Sequence, residues 1–256
     1  MFTDRSALTS RGYADHRPLA ARASIYQWQV DKVDLPGLAV AGLTGVTGNV
    51  LDAGCGLGTY VDRLASERPD LGVLALDLSA GMGPMVVGDI QQLPLADGSV
   101  QAALAMHMLY HVPDIEAAAA ELRRVVADGG VLLASTNGRD DKHEIGQLWA
   151  DAVADLTGEQ VEVRDADGRF TLDDGDLLRT AFASVEVVVF DRETLVPDVE
   201  PVVAFVNSIR GLGEDDLPGG VTWEAFLGRV REGVQAEVER HGVFRIGNQV
   251  GLFTCR

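Results

Sequence analysis

Short apolar runs and amphipathic segments alternate along the chain, which predicts strands that alternate with helices. The run at 71–78 is apolar almost throughout, as expected of a strand that helices cover on both faces. This order of elements predicts an α/β fold with a doubly wound, mostly parallel sheet. Strands are predicted at 48–53, 71–78, 86–90, 101–106, 131–136 and 185–190, with a last strand at 243–246 and 251–255; helices are predicted at 1–35, 59–66, 115–127, 139–157 and 198–240.

Two glycine-containing pairs are predicted to end helices. Pro36-Gly37 follows the N-terminal helical pattern, and Gly129-Gly130 follows the helix predicted at 115–127. The segment between the second and third strands is short, since Asp89 follows Asp77 by only 12 positions. A parallel crossover normally takes a dozen or more residues and includes a helix. The helix usual at this point is therefore predicted to be lost or vestigial.

A glycine loop follows the first predicted strand. Asp52 is followed by Gly54, Gly56 and Gly58, and a helical pattern begins at Thr59. Glycine permits positive φ and close approach of a ligand to the backbone, and a helix N-terminus presents free N–H groups. This stretch predicts a nucleotide or nucleoside site. The dinucleotide fingerprint needs a glycine where the chain has Thr59, and no Lys-Ser or Lys-Thr pair follows that would make a P-loop.

Charge and composition exclude several classes of partner. The 256 residues include 39 acidic and 21 basic ones, for a net charge of −18, which disfavours nucleic acid and anionic membranes as partners. No apolar run approaches a membrane span, and the N-terminus lacks the apolar core of a signal peptide, so a cytoplasmic protein with reduced thiols is expected. Arginines are concentrated in the first thirty residues, and a minority hypothesis is that one of them meets a carboxylate in the site.

Four motifs together resemble the class I S-adenosylmethionine-dependent methyltransferases, and specifically the methyltransferase type 11 family. The first is the acidic-x-G-x-G-x-G pattern at 52–58, and the second is D-L-S-A-G-M at 77–82. The others are L-P-L-A-D-G-S-V at 93–100 and L-R-R-V-V-A-D-G-G-V-L-L at 122–133. The resemblance covers roughly residues 45–137. It implies a Rossmann-like seven-stranded sheet with an antiparallel last strand, helical lid segments, and S-adenosylmethionine as cofactor.

The resemblance also implies a cofactor site. It places Asp52 and the glycines around the methionine moiety, Asp77 at the ribose, and Asp89 with Ile90 at the adenine. An acid at the end of the second strand suits ribose hydroxyls in NAD enzymes as well. The cofactor-binding residues predicted in this way are Asp52, Gly54, Cys55, Gly56, Gly58, Asp77, Leu78, Met82, Asp89, Ile90 and Met106.

Candidate residues for chemistry follow the fourth strand. His107 lies just beyond the strand's carboxyl end and is the candidate general base or positioning residue, with a pocket-shaping role as the alternative. His107 and His111 have the i, i+4 spacing of metal ligands on a helix, but Pro113 indicates a loop and no third ligand is evident, so no metal is expected. The candidate acceptor-site residues are Tyr13, Tyr26, Tyr110, His111 and Asn137.

The predicted organisation has three parts: an N-terminal helical lid at 1–36, a cofactor-binding α/β core at 37–190 and 241–256, and a helical insertion or lid at 191–240. Both lids are rich in Val, Phe, Leu and Trp, which favours an apolar or aromatic acceptor. The predicted function is methyl transfer to an oxygen, nitrogen or carbon of a small metabolite. The alternatives are a protein that binds S-adenosylmethionine without transferring methyl, and an NAD-dependent oxidoreductase.

Overall fold

The computed structural model of the chain describes residues 3–163 and 169–256, and its centre is a seven-stranded sheet. The strand order is β3-β2-β1-β4-β5-β7-β6, and only β7 runs antiparallel to its neighbours. The predicted Rossmann-like fold with an antiparallel last strand is confirmed. The strands are β1 (Gly48–Ala53), β2 (Leu71–Asp77), β3 (Val86–Val87), β4 (Val100–Met106), β5 (Val126–Asn137), β6 (Val185–Val196) and β7 (Phe244–Cys255).

Helices cover both faces of this sheet. Ala39 and Leu64 come from two helices on one face, whereas Leu122 from a third belongs to the same buried cluster as Phe253 on the other. None of the helices in the described ranges is long and apolar enough to cross a bilayer. The helices are α1 (Arg5–Ala7), α2 (His16–Ser24), α3 (Leu35–Gly42), α4 (Thr59–Glu67), α5 (Ile115–Val125), α6 (His143–Thr157), α7 (Gly175–Leu178), α8 (Val199–Ser208), α9 (Arg210–Gly213) and α10 (Trp223–His241).

Both predicted helix ends were wrong. Pro36 and Gly37 lie in the first turn of α3, where the Asp34 carboxylate accepts the Gly37 N–H at 3.0 Å. Proline fits the first turn because its missing N–H needs no partner there. The second helix, α5, already ends at Val125, and β5 begins at Val126, which is buried in the sheet.

The crossover between β2 and β3 has lost its helix, as predicted. A single 3₁₀ turn at Ala80–Met82 connects the strands, and β3 has only two residues instead of the predicted five. Val87, on this edge strand of the sheet, is 58% exposed. Asp89 therefore lies in a turn beyond the strand.

The last two strands are longer and more regular than predicted. β6 and β7 have 12 residues each and pair without a break, from Val185 with Cys255 to Val196 with Phe244. β5 pairs with β7 only from Val250 onward, so the far half of this two-stranded ribbon extends beyond the sheet. The expected interruption around Gly247 is absent because its N–H donates to the Glu144 carboxylate at 2.9 Å.

The extended half of the ribbon carries the lid helices. Val196, Phe244 and Ile246 belong to one buried cluster with Trp223 and Phe226 of α10. Residues from α6, α8 and the 3₁₀ turn after α2 complete the cluster. The N-terminal segment and the 191–240 insertion therefore pack together above the carboxyl ends of the parallel strands.

Candidate active site

A cavity of about 270 Å³ lies at the carboxyl ends of β1, β2 and β4, under the N-terminal helical segment. This is the edge where open α/β sheets bind ligands. Of the predicted cofactor residues, the cavity is lined by Gly54, Cys55, Gly56, Asp77, Leu78, Asp89, Ile90 and Met106.

The glycine loop is held by backbone hydrogen bonds to β2. The N–H groups of Gly54 and Cys55 both donate to the Leu76 carbonyl, at 2.7 and 3.0 Å. Gly54 has a φ of 75°, and a Cβ there would lie 2.8 Å from the Met108 side chain. Gly58, with a φ of 76°, is the N-cap of α4. The sequence Gly-x-Gly-x-Gly is thus required by backbone geometry and by close packing.

Asp52 is the most unusual side chain of the site. It is 1% exposed, and both carboxylate oxygens are buried without a hydrogen-bond partner among the described residues. Burial, with a smaller contribution from the charge of Asp77, raises the pKa of Asp52 to about 7. Asp52 does not line the cavity, but its neighbour Cys55 does. Burial raises the pKa of the Cys55 thiol, and the charge of Asp52 raises it further. An orphaned carboxylate here fits a cationic ligand group such as the ammonium of a methionine moiety.

Unlike Asp52, Asp77 has a hydrogen-bond partner for each of its carboxylate oxygens. Its two oxygens accept the N–H groups of Gly56 at 3.0 Å and Ser79 at 2.9 Å. Burial raises the pKa of Asp77, and these backbone hydrogen bonds oppose the rise. Each carboxylate oxygen can accept a second hydrogen bond, so Asp77 suits ribose hydroxyls at the edge of the cavity.

The predicted adenine end is closed by the N-terminal segment. Arg5 forms an ion pair with Asp89, which agrees with the expectation that an N-terminal arginine meets a carboxylate in the site. Asp89 also accepts the Gln91 N–H at 2.9 Å. Met82 is 3% exposed but does not line the cavity, because it is buried beneath the 3₁₀ turn.

His107 lies at the end of β4 with a φ of 53°, which is rare for a residue with a side chain. Its N–H is held by the Ser135 carbonyl and hydroxyl, both at 3.0 Å. Burial and the nearby Lys142 charge lower the pKa of His107 to about 4, against an opposing effect of Asp141. The imidazole is therefore neutral at neutral pH and is a weak base.

Aromatic and polar side chains form the other end of the cavity, beside His107. The Tyr13 hydroxyl and His111 Nε2 share a hydrogen bond of 2.6 Å, and the Tyr110 ring lies 4.5 Å from the His111 ring. Tyr13, Tyr110 and His111 line the cavity as predicted, whereas Tyr26 and Asn137 do not. Tyr26 packs in the lid cluster, and Asn137 pairs with Val250 at the end of β5.

Sequence reasoning missed the cations at this end. The Arg22 guanidinium lies 4.9 Å from the centroid of the Tyr13 ring. Lys142, held in an ion pair with Asp141, lies 5.4 Å from the Tyr26 ring. Burial raises the pKa of Tyr110, and the charge of Arg169 opposes that rise. Only Arg22 had a signal, because it shares a helix face with Leu19 three positions earlier. Within the described ranges, no group of three or more His, Cys, Asp or Glu could hold a metal ion.

Comparison with known proteins identifies the family. The model of the methyltransferase domain matches residues 51–134. The malonyl-[acyl-carrier protein] O-methyltransferase of Serratia marcescens is 33% identical over 183 residues, and that of Yersinia pestis is 30% identical over 185. The chain belongs to the class I S-adenosylmethionine-dependent methyltransferases. Each alignment covers 67% of this methyltransferase but only 66% and 62% of the two relatives, respectively.

Solved structures agree on the fold of this methyltransferase. Phosphoethanolamine N-methyltransferase 2 of Haemonchus contortus, in complex with S-adenosylmethionine, has a TM-score of 0.55 at 17% identity. The match covers 100% of this chain and 59% of that one. The cofactor of this methyltransferase is S-adenosylmethionine, as predicted. The orphaned carboxylate of Asp52 and the glycine loop fit that cofactor.

Proposed function

We propose that this methyltransferase transfers the methyl group of S-adenosylmethionine to a carboxylate oxygen of a small, largely apolar acid. The observation that carries the proposal is the pKa of about 4 that burial and the Lys142 charge give to His107. A general base works best when its pKa is near the ambient pH. An alcohol, phenol or amine acceptor would need such a base, whereas a carboxylate is already ionised at neutral pH.

Other groups near His107 support a base-free acceptor. His111 Nε2 is engaged by the Tyr13 hydroxyl, and burial raises the pKa of Tyr13, which keeps that hydroxyl protonated. The curated relatives are named as O-methyltransferases, and a malonyl thioester carries a free carboxylate. The charges of Arg22 and Arg169, which lower the pKa of Tyr110 at this end of the cavity, favour an anion.

Each group of residues has a defined task. Asp52 and the glycine loop hold the methionine moiety, and Asp77 and Asp89 hold the nucleoside, while Leu19 on α2 closes the cavity to water. The bound cofactor supplies a methyl carbon on a sulfonium. The carboxylate oxygen would form its bond to that carbon as the carbon–sulfur bond breaks, the electron pair would stay on sulfur, and no proton would be released. The His107 ring, neutral and fixed, shapes the place where these atoms meet.

Product mass tests this function. The protein is incubated with S-adenosylmethionine that carries a trideuteromethyl group, together with straight-chain carboxylic acids of four to twelve carbons and S-malonyl-N-acetylcysteamine. The matched primary alcohols and phenol serve as controls. We expect trideuteromethyl esters of acids and no ethers. Ethers without esters would contradict the carboxylate assignment. Binding of S-adenosylmethionine without any methylated product would favour the alternative of a protein that binds the cofactor without transferring methyl.

A further inference from the structure

Within the part of the chain that the structure describes, one nitrogen of Arg22 is buried without a hydrogen-bond partner in good geometry, although Arg22 also interacts with Tyr13. This nitrogen, Nη2, has no hydrogen-bond partner among the described residues, although it is inaccessible to solvent. The Nη1 atom of Arg22 donates to the Ser208 carbonyl of α8 at 2.9 Å, which fixes the guanidinium between the two lid segments. Leaving a buried donor of a charged group unpaired is costly, so a partner is expected to arrive with a ligand.

Arg22 does not itself line the cavity, but it lies directly behind lining residues at the proposed acceptor end. Leu19, which shares a face of α2 with Arg22, lines the cavity, and so does Ala23, the next residue in the chain. The guanidinium lies 4.9 Å from the ring centroid of Tyr13, another lining residue. The Arg22 charge also opposes the rise that burial causes in the pKa of Tyr110, which lies at the same end of the cavity.

Charge at this end is opposite to that of the protein as a whole. The chain carries a net charge of −18, yet the charges of Arg22 and Arg169 lower the pKa of Tyr110 and that of Lys142 lowers the pKa of His107. The acid beside them, Asp141, is paired with Lys142. The unpaired or partly paired acids Asp52 and Asp77 lie at the cofactor end. Burial raises the pKa of the Tyr13 hydroxyl, and the charge of Asp77 adds to this rise.

We propose that Arg22 binds the carboxylate of the acceptor, with Nη2 donating to one of its oxygens, and so selects an anionic acceptor. This inference rests on the proposed function, because it names the residue that recognises the acid. An arginine suits this task since its rigid guanidinium fits a carboxylate while Nη1 stays bound to Ser208. The second oxygen of the carboxylate remains free to act as nucleophile.

The test compares Arg22→Gln and Arg22→Lys with a matched control, Arg17→Gln. Arg17 lies on the same helix, but its side chain is 90% exposed and paired with Asp15. The first readout is KM and kcat for the straight-chain acid that the wild type esterifies fastest. The second is the rise in melting temperature that this acid adds to protein already saturated with S-adenosylhomocysteine. The third is the rise that S-adenosylhomocysteine alone produces.

We expect Arg22→Gln to raise KM for the acid about 10- to 100-fold, as loss of a hydrogen bond to a charged group does. The rise in melting temperature from the acid should vanish, while that from S-adenosylhomocysteine alone should persist. Arg22→Lys should recover part of the affinity, and Arg17→Gln should match the wild type.

Two results would overturn the role of Arg22. One is an unchanged KM in Arg22→Gln. The other is loss of the S-adenosylhomocysteine effect with an unchanged KM, which would assign Arg22 to the carboxylate of the cofactor. Failure of the wild type to esterify any acid is a different result, since it would contradict the proposed function itself.

Discussion

At the scale of single residues, two neighbouring carboxylates differ in how they are satisfied. Asp77 accepts two backbone N–H groups, whereas both oxygens of Asp52 are without partners among the described residues. Because burial raises the pKa of Asp52 to about 7, a substantial fraction of the carboxyl carries a proton at neutral pH. A cation that binds beside it would lower that pKa and displace the proton.

Binding of S-adenosylhomocysteine should therefore release protons near pH 6.5. Titration calorimetry in buffers of different ionisation enthalpy measures this release. We expect up to one proton per site in the wild type and affinity that rises between pH 6 and 8, as Asp52 ionises. Asp52→Asn is the control and should release almost none. Equal proton release by both proteins would contradict the role assigned to Asp52.

His107 should be dispensable as a base. Since its pKa is about 4, from burial and the Lys142 charge, it does not change protonation between pH 6 and 8. Asn accepts the positive φ of this position, so His107→Asn should keep the fold and lose no more than about 10-fold in kcat. The pH–rate profiles of both proteins should have the same shape over this range. A limb near pH 6.5 that disappears in the variant would show that His107 is a base.

The same pKa links His107 to stability. Its folded value of about 4, caused by burial and the Lys142 charge, lies below the ordinary 6.5, so the folded state binds fewer protons than the unfolded state between these pH values. The wild type should accordingly lose stability as the pH falls from 6.5 toward 4. Urea unfolding should show a smaller loss of stability over this pH range in His107→Asn than in the wild type. An identical loss in His107→Asn would contradict the lowered pKa.

At the scale of elements, local pattern predicted what contiguous sequence determines. β1, the glycine loop and β2 lie where the motifs placed them, because each depends on a short apolar run and its neighbours. The last strand was predicted in two pieces, 243–246 and 251–255, whereas β7 is continuous through Gly247 and Asn248. Long-range hydrogen bonds support the continuous pairing of β6 with β7. The Thr194 hydroxyl donates to the Asn248 amide oxygen at 2.6 Å, and the Gly247 N–H donates to the Glu144 carboxylate. Such partners cannot be identified from local sequence.

The site divides in the same way. The cofactor end was predictable from one motif region, whereas the acceptor end assembles Arg22, Lys142 and His111 from segments far apart in the chain. Tyr26 was expected at that end, yet it packs in the lid cluster. The roles of all these residues in binding and catalysis stay predictions.

Two glycines of α10 provide a matched pair for the packing of the lid. A Cβ at Gly228 would meet no atom within 4 Å, so Gly228→Ala should stabilise the protein by about 0.5–1 kcal/mol through helix propensity. A Cβ at Gly233 would lie 2.8 Å from Cδ1 of Leu148 on α6, which must shift, so Gly233→Ala should stabilise the protein less than Gly228→Ala does. Chemical denaturation of both variants measures this difference. Equal effects would contradict the close packing of α10 on α6.

At the scale of the whole molecule, charge separates the two functions of the cleft. Acidic residues surround the place of the cationic cofactor, and cations gather where the acceptor is proposed to bind, inside a protein with a net charge of −18. Attraction at each end then favours one orientation of the two reactants. Residues of the N-terminal segment line both ends of the cavity, and this segment packs with α8 and α10 on the β6–β7 ribbon.

The cofactor assigned to the cleft is tested most directly by a thermal melt with S-adenosylmethionine, S-adenosylhomocysteine and NAD in parallel. A ligand at a hundred times its dissociation constant adds about 2.7 kcal/mol, which is about 5–10 °C for a domain of this size. We expect that rise with the two adenosyl compounds and none with NAD. A rise with NAD alone, or no rise with any of the three, would contradict the assignment of the cleft.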